Sequence, residues 1–426
     1  MKYFRFTALL QSSGWLQPAY VGVDINGKIC YVGNNPPAEA VALEAVNGVA
    51  LPGFPNAHSH AFQFAMAGHA ETHPAGAKDD FWTWREAMYR CALSITPDEM
   101  ENVAYRCYRN MALNGYTHVA EFHYLHHDEN GKPYANPAEM GERLVAAASR
   151  SGIQITLIPV FYQKGGFGKE ALPEQRRFIS KTADEYFRLL EASERAVKHY
   201  QHASLGFSVH SLRAADPELI KMIVDASPKH LPFHMHAAEQ KREVEDCLHY
   251  LQKRPVQWII DNLPVDNRFH LVHCTHLDDN EVVQLARTEA QVVLCPSTEA
   301  NLGDGIFRLI DFAAAGGKFS IGTDSQVCLN PLEDLRWLDY GQRLISHRRN
   351  TFHDGGLTLM RQVIFSGRKA MGIYSNEFFE TGKPMDAVVF FSDRPEEADA
   401  EKILPMLLYG SCRNLRSQTV IHGKWI

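Results

Sequence analysis

The sequence predicts an α/β fold: a (β/α)8 barrel with a small β-sandwich-like domain built from both ends of the chain. Three observations support this prediction. The central part alternates short apolar runs with segments of helical spacing, which is typical of parallel βαβ units. The apolar runs number eight, the number of strands that closes such a barrel. The two ends instead carry short strands separated by turn residues.

The first 50 residues predict strands and turns. Residues 20–23 and 29–32 have extended character, and the Asn26-Gly27 pair between them predicts a β-hairpin. At the other end, residues 387–391 and 418–424 repeat this pattern. Because chain termini often lie close together, we expect residues 1–50 and 375–426 to form one small β domain and residues 51–374 to form the barrel.

Eight strand candidates run through the middle of the chain, at residues 49–54, 118–122, 154–160, 205–209, 231–235, 269–272, 291–294 and 318–321. Helical segments lie between them. One begins at Thr96-Pro97-Asp98-Glu99, a capping box with proline at the first helical position; others cover residues 139–150, 182–199, 217–226 and 331–344. A doubly wound open sheet would carry G-x-G-x-x-G after its first strand, and this motif is absent there. The pattern therefore favours a closed, TIM-type barrel.

Composition and charge restrict the partners. The chain is 45% hydrophobic and 22% charged, as in globular proteins. Its net charge is -7, and Lys and Arg are scattered, which argues against nucleic acid or a membrane surface and favours a small-molecule partner. No segment has the roughly 18 uninterrupted apolar residues of a membrane span. The eight cysteines form no C-x-x-C pair, so we expect buried free thiols and a cytoplasmic location.

Histidines and carboxylates recur at the C-terminal ends of the predicted strands, where the chemistry of such barrels lies. His58 and His60 end the first strand and, being two residues apart on extended backbone, point the same way. Alone, such a pair is as consistent with packed or solvated histidines as with a metal site. His236 after the fifth strand and Asp324 after the eighth complete a set of three imidazoles and one carboxylate. The four residues predict a site for a divalent metal, most simply zinc, although iron is compatible.

One metal is expected, because residues 205–210 contain no lysine that could bridge two. Glu239, three residues after His236, would share a face with it on a helical turn and could shuttle a proton. The alternative is that Glu239 begins a solvated helix with the charged residues 241–245. His273 could polarise a substrate or be a packed core histidine, and Asp324 could be a helix N-cap. One metal site explains all these residues together.

These residues resemble the amidohydrolase superfamily over nearly the whole chain. The resemblance rests on Pro52-Gly53-Phe54-x-Asn56-x-His58-x-His60, His236-x-x-Glu239, His273 and Gly322-Thr323-Asp324. Longer runs, at residues 121–127, 210–214 and 296–305, are similar to superfamily members that hydrolyse formimino amino acids. Ser297 departs from that pattern, since a threonine is expected there.

The resemblance implies a mononuclear zinc hydrolase of a non-peptide C–N bond, which deiminates N-formimino-L-glutamate to N-formyl-L-glutamate and ammonia in histidine degradation. Metal-bound hydroxide would attack the formimino carbon, with Asp324, His273 and Glu239 as catalytic residues. The dicarboxylate substrate needs cationic and hydrogen-bonding partners, and arginine suits a carboxylate because its planar fork binds two oxygens. We expect substrate contacts from five residues: Gln63, Arg85 in a loop at residues 81–85, Tyr124, His210 and Arg213. We also expect a homodimer.

Two alternatives stay open from the sequence. A deaminase of an aromatic ring, such as guanine, cytosine or a purine derivative, would share the metal set and His-x-x-Glu, but it would not need two arginines. A catalytically inactive barrel that serves as a scaffold is the non-enzyme alternative. Such proteins usually lose metal ligands, whereas this chain retains all four.

Overall fold

A computed structural model provides the structure, and it describes residues 1–40, 42–72, 79–391, 400–410 and 416–426. The chain opens with five strands: β1 (Lys2–Gln11), β2 (Gly14–Leu16), β3 (Ala19–Val23), β4 (Ile29–Gly33) and β5 (Glu44–Pro52). Strands β3 and β4 pair antiparallel and form the predicted hairpin. Gly27, in the turn between them, has φ +79°, a conformation that glycine adopts at little cost.

Nine strands follow: β6 (Phe54–Ser59), β7 (Tyr116–His123), β8 (Gln154–Phe161), β9 (Ala203–Leu205), β10 (Phe207–Ser211), β11 (Phe233–Ala237), β12 (Phe269–His273), β13 (Gln291–Leu294) and β14 (Lys318–Ile321). They form one parallel sheet in the order β14-β13-β12-β11-β10-β8-β7-β6, and the short β9 pairs with β8. Ser59 and Asp324 form a parallel bridge, which brings the two outermost strands together. The predicted (β/α)8 barrel is confirmed.

Thirteen helices are described in these parts of the chain: α1 (Phe81–Ser94), α2 (Pro97–Leu113), α3 (Glu139–Ser151), α4 (Ala183–Lys198), α5 (Pro217–Ala226), α6 (Lys241–Leu251), α7 (Pro255–Asn262), α8 (Asp279–Arg287), α9 (Pro296–Leu302), α10 (Leu309–Ala314), α11 (Pro331–Ser346), α12 (Leu357–Lys369) and α13 (Ala400–Tyr409). The capping box before α2 is confirmed: the Thr96 hydroxyl accepts from the backbone N–H of Glu99, and the Glu99 carboxylate accepts from that of Thr96. The helices bury their apolar faces, as α3 does with Met140, Leu144 and Ala148 at helical spacing.

The chain ends with β15 (Ala387–Phe391), β16 (Arg416–Ile421) and β17 (Lys424–Trp425). Strand β15 pairs antiparallel with β5, so the second sheet runs β17-β16-β15-β5-β1-β3-β4, with β2 beside β1. The prediction that both chain ends build one β unit is confirmed. The domain boundaries at residues 50 and 375 stay a prediction, and residues 392–399 and 411–415 lie outside the described residues.

The predicted first barrel strand, residues 49–54, is split between two sheets. Strand β5 ends at Pro52 in the sheet of the chain ends, and β6 begins the barrel at Phe54. Gly53 joins them, and a Cβ atom there would lie 2.3 Å from Thr117 Cγ2. The prediction was wrong for residues 49–52 because a continuous apolar run does not show where a chain passes from one sheet to another.

Seven cysteines are described, and all are free thiols. The prediction of burial is confirmed for four of them, Cys107, Cys247, Cys274 and Cys295. It is wrong for Cys30, which is exposed in β4 at the edge of its sheet, and Cys91 and Cys328 are only half-buried. Cys412 lies outside the described residues. Among the helices that are described, none combines the length and the apolar character needed to cross a membrane.

Candidate active site

Four predicted metal ligands meet at one end of the barrel. His58 lies in β6, His60 directly after it, His236 in β11 and Asp324 after β14. The Nε2 atom of His58 lies 3.1 Å from that of His60 and 3.0 Å from that of His236. Asp324 Oδ1 lies 3.1 Å from His60 Nε2. One ligand atom from each residue fits within 4.8 Å of all the others, and all four side chains are buried.

Hydrogen bonds at the Nδ1 atoms of two of these rings orient the Nε2 lone pairs toward the centre of the four-residue donor set. His60 Nδ1 donates to the Phe122 carbonyl over 2.8 Å, and His236 Nδ1 donates to the His210 carbonyl over 3.1 Å. In this tautomer the proton of each ring is on Nδ1, which leaves Nε2 available to bind a metal.

The charge states also fit a cation. Burial lowers the pKa of His58 to about 3 and that of His236 well below its usual value, so both rings are neutral at pH 7. Burial disfavours the ionised form of Asp324, but its contacts with His58 and His60 hold its pKa well below the usual range. Three imidazoles and one carboxylate converge in a buried space, which is the donor chemistry of a divalent metal site.

His273 and Glu239 lie beside this donor set. His273 Nε2 is 3.8 Å from Glu239 Oε1 and 3.8 Å from Asp324 Oδ2. On its other side, His273 Nδ1 is 3.3 Å from Glu299 Oε1, which also accepts from the backbone N–H of Cys295. Burial alone would lower the pKa of His273, but these three carboxylates raise it to about 10. The ring therefore faces the centre as a hydrogen-bond donor.

A cavity adjoins the metal ligands, and all five predicted substrate contacts line it: Gln63, Arg85, Tyr124, His210 and Arg213. Gln63 Nε2 donates to the Tyr124 hydroxyl over 2.8 Å. Burial, with the neighbouring cation of Arg213, lowers the pKa of His210 well below its usual value. Aromatic side chains complete the walls, among them Tyr89, Tyr162 and Phe178.

The two arginines of the cavity differ in their partners. The side chain of Arg213 is 11% exposed, and its guanidinium lies 3.1 Å from Glu243 and 3.4 Å from Glu239. The Arg85 guanidinium stacks instead on aromatic rings, 4.4 Å from the centre of Trp82 and 5.5 Å from that of Tyr89. Its Nε is buried and has no hydrogen-bond partner in the described parts of the chain. Arg85 thus brings a cation into the cavity, and none of the described carboxylates lies within ion-pair distance of it.

Comparisons with known proteins agree with this geometry. The model of the "Amidohydrolase family" matches residues 49–426. The chain belongs to the amidohydrolase family. This amidohydrolase is 42% identical, over 432 aligned residues, to a formimidoylglutamate deiminase of Pseudomonas aeruginosa, with coverage of 99% of this chain and 94% of the relative. The resemblance seen in the sequence is confirmed.

Two solved structures are similar to this amidohydrolase. An amidohydrolase from Brucella melitensis superimposes with a TM-score of 0.93 at 38% identity, covering 100% of this chain and 94% of that one. A zinc-bound adenosine deaminase from Xanthomonas campestris gives a TM-score of 0.81 at 21% identity, with coverage of 99% and 92%. The second likeness shows the shared fold alone.

The structure brings all the predicted site residues of this amidohydrolase to one end of the barrel. Two features differ from the sequence interpretation. Residues 81–85 lie in α1, not in a loop, and Asp80 caps this helix. Glu239 and Glu243 are buried, so the solvated-helix alternative for them is wrong.

Sequence reasoning assigned no role to Glu243, Glu299, Trp82 or Tyr162. The sequence carries only a weak signal for them, because an acid in the first turn of a helix is commonplace and aromatic residues are frequent in cores.

Gly322, directly after β14, lies close to His58, the first metal ligand. A Cβ atom there would lie 2.7 Å from His58 Cβ and 2.8 Å from His58 N and O. Backbone atoms of His58 can move away from the new methyl group only at a considerable cost in free energy, so Gly322→Ala is expected to displace His58. We expect bound metal to fall by at least about half and the fold to be destabilised by about 1–3 kcal/mol. Metal analysis and thermal unfolding measure the two effects.

Gly341 in α11 offers a matched control. A Cβ atom there would meet Ile306 at 3.4 Å, an ordinary contact. Gly341→Ala is expected to keep full metal content and to leave stability unchanged or slightly higher, because alanine favours helix. Equal behaviour of the two variants would show that the close approach at His58 is unimportant.

Proposed function

We propose that this amidohydrolase is a metal-dependent formimidoylglutamate deiminase, which hydrolyses N-formimino-L-glutamate to N-formyl-L-glutamate and ammonia. The observation that carries the proposal is the placement of two arginines, Arg85 and Arg213, in the cavity that contains the metal donor set. A substrate with two carboxylates and a formimino group fits a site with two cations beside a hydrolytic centre. The identity to the Pseudomonas aeruginosa deiminase supports the same substrate.

We further propose zinc as the metal, held by His58, His60, His236 and Asp324, with iron as the alternative. A divalent metal there would lower the pKa of a water ligand from about 15.7 toward about 7 and so supply hydroxide at neutral pH. The imidazole-rich donor set suits this role, and a similar barrel among the solved structures was crystallised with zinc.

The residues of the chain then have distinct tasks. The planar formimino carbon gains the hydroxyl oxygen, its bond to the terminal nitrogen breaks, and that nitrogen leaves as ammonia. Water gives up two protons in this reaction, and the terminal nitrogen gains two to become ammonia. Glu239 accepts one proton and delivers it to the departing nitrogen, while Asp324 accepts the other, which follows to the same nitrogen. His273, held as a donor by Glu299, steadies the negative charge that develops at the tetrahedral centre.

Substrate recognition falls to the cavity walls. Arg85 and Arg213 bind the two carboxylates, while Gln63, Tyr124 and His210 contribute hydrogen bonds. Aromatic side chains around Arg85 exclude water, which strengthens the charge pairing there. The homodimer and the cytoplasmic location stay predictions.

Ammonia release from four compounds tests the proposal: N-formimino-L-glutamate, N-formimino-L-aspartate, guanine and cytosine. We expect kcat/KM for N-formimino-L-glutamate to exceed the values for both ring compounds by at least about 100-fold, because only the linear substrate uses both arginines. Faster turnover of a ring would favour the ring-deaminase alternative. No ammonia from any of the four compounds, with less than about half an equivalent of bound metal, would favour the inactive scaffold.

A further inference from the structure

We propose that Glu243 is a positioning residue: it holds Arg213 ready for a substrate carboxylate and at the same time fixes the backbone of Glu239. The inference rests on the proposed function and adds to it a residue that does not itself line the cavity formed by the described residues. Both residues that it contacts do line this cavity.

One carboxylate oxygen of Glu243 serves both partners. Oε2 accepts from Arg213 Nη1 over 3.1 Å and from the backbone N–H of Glu239 over 3.0 Å. The Glu243 side chain is completely buried, and its Oε1 has no hydrogen-bond partner among the described residues. A buried carboxylate is costly unless it is paired, so Arg213 is its compensating charge.

The backbone beside Glu239 needs this support. Ala238 has φ +50°, a left-handed conformation that a residue with a side chain adopts at a cost. Gln240, at the start of α6, makes no side-chain cap. Glu243 is the third residue of α6 and reaches back to the Glu239 N–H in place of a cap. The turn that aims Glu239 at His273 is therefore tied to the same oxygen as Arg213.

Arg213 is shared between two acids in this arrangement. It lies 3.1 Å from Glu243 and 3.4 Å from Glu239, whose other oxygen faces His273 at 3.8 Å. Without the charge of Glu243, Glu239 becomes the one carboxylate within ion-pair distance of Arg213 in the described structure. Arg213 then turns toward Glu239, and an incoming substrate carboxylate must compete with this contact.

This competition affects binding more than turnover. Once a substrate carboxylate occupies Arg213, Glu239 is free again. Glu243→Gln is therefore expected to raise KM for N-formimino-L-glutamate at least tenfold while changing kcat less than threefold. The amide oxygen of glutamine can still accept from the Glu239 N–H, so the turn is kept. Glu243→Asp keeps the charge on a shorter side chain and is expected to give an intermediate KM.

A double-mutant cycle separates this role from a purely structural one. If Glu243 acts through Arg213, then Glu243→Gln changes KM less than twofold in an Arg213→Met background. Equal factors in both backgrounds, or a KM unchanged by Glu243→Gln alone, would overturn the inference. If Glu243→Gln fails to fold, the same cycle is run with Glu243→Asp.

Glu281 provides a matched control. It is also the third residue of its helix, α8, is buried, accepts from the backbone N–H of Asp278 and pairs with an arginine, Arg254. It does not line the cavity in the described structure. Glu281→Gln is expected to leave KM and kcat within twofold of wild type.

Binding of glutarate, measured by calorimetry, keeps the inference separate from the proposed function. Glutarate carries two carboxylates at the substrate's spacing and does not react. Glu243→Gln is expected to weaken its binding at least tenfold, and less than twofold when Arg213 is already methionine. Unchanged glutarate affinity in Glu243→Gln contradicts the positioning role. The expected pattern with glutarate, but no ammonia from N-formimino-L-glutamate, would instead retain that role and refute the deiminase.

Discussion

Asp324→Asn is expected to lower kcat/KM for N-formimino-L-glutamate by at least about 1,000-fold, with bound metal below about 0.2 equivalents. Asp324 supplies the only carboxylate of the four-residue donor set in the described structure. Its oxygen lies 3.1 Å from His60 Nε2 and 3.5 Å from His58 Nε2. An amide has no negative charge for the metal, and it cannot accept a proton from water. Metal analysis and steady-state kinetics on the purified variant measure both losses.

Asp334→Asn is the matched control, because it makes the same change at another buried aspartate. Asp334 accepts a hydrogen bond from the Tyr116 hydroxyl over 3.1 Å, and burial raises its pKa to about 7. With a pKa of about 7, Asp334 is about half protonated at neutral pH, so a neutral amide resembles one of its two populated forms, whereas Asp324 is held ionised. We expect full metal content and activity in Asp334→Asn. Metal loss in both variants would indicate general damage, and metal retention in Asp324→Asn would contradict the donor set.

The metal ligands could be predicted because functional residues of such a barrel lie at the C-terminal ends of its strands. His58, His60 and Asp324 follow apolar runs and converge once the strands close into a ring. His236 was predicted to follow the fifth strand, at residues 231–235, but this strand, β11, lies at Phe233–Ala237 and contains His236. A shift of two residues still leaves His236 near the C-terminal end of β11, with the other ligands.

The supporting acids could not be predicted, because their burial depends on contacts distant in the chain. Glu243 follows Lys241 and Arg242, a pattern typical of a solvated helix face, yet Arg213 from another element makes its burial possible. Residues 81–85 were predicted as a loop but form the first turn of α1, from which Phe81, Trp84 and Arg85 line the cavity. The periodicity of a helix predicts which face is buried on average, but it does not show that one charged residue is buried because it pairs with a distant residue.

Arg85→Met is expected to raise KM for N-formimino-L-glutamate by about 100-fold, equivalent to about 3 kcal/mol for a lost charged contact. Arg85 reaches the cavity with its guanidinium between Trp82 and Tyr89. Methionine can occupy much of the same apolar space but cannot bind a carboxylate. Arg242→Met is the matched control, since Arg242 stacks on the same Trp82 ring at 4.7 Å but does not line the cavity of the described structure. Its kinetics should stay within about twofold of wild type.

The two arginines should differ in stability as well as in kinetics. Arg213→Met leaves Glu243 buried without its cation, so it is expected to cost about 3 kcal/mol or more of folding free energy in addition to at least 100-fold in kcat/KM. Arg85 pairs with no acid in the described structure, so Arg85→Met should unfold at the wild-type temperature. A loss of substrate affinity without a loss of stability would locate the Arg85 charge in substrate binding alone. An unchanged KM in Arg85→Met would refute the two-carboxylate assignment, because a single arginine would then suffice.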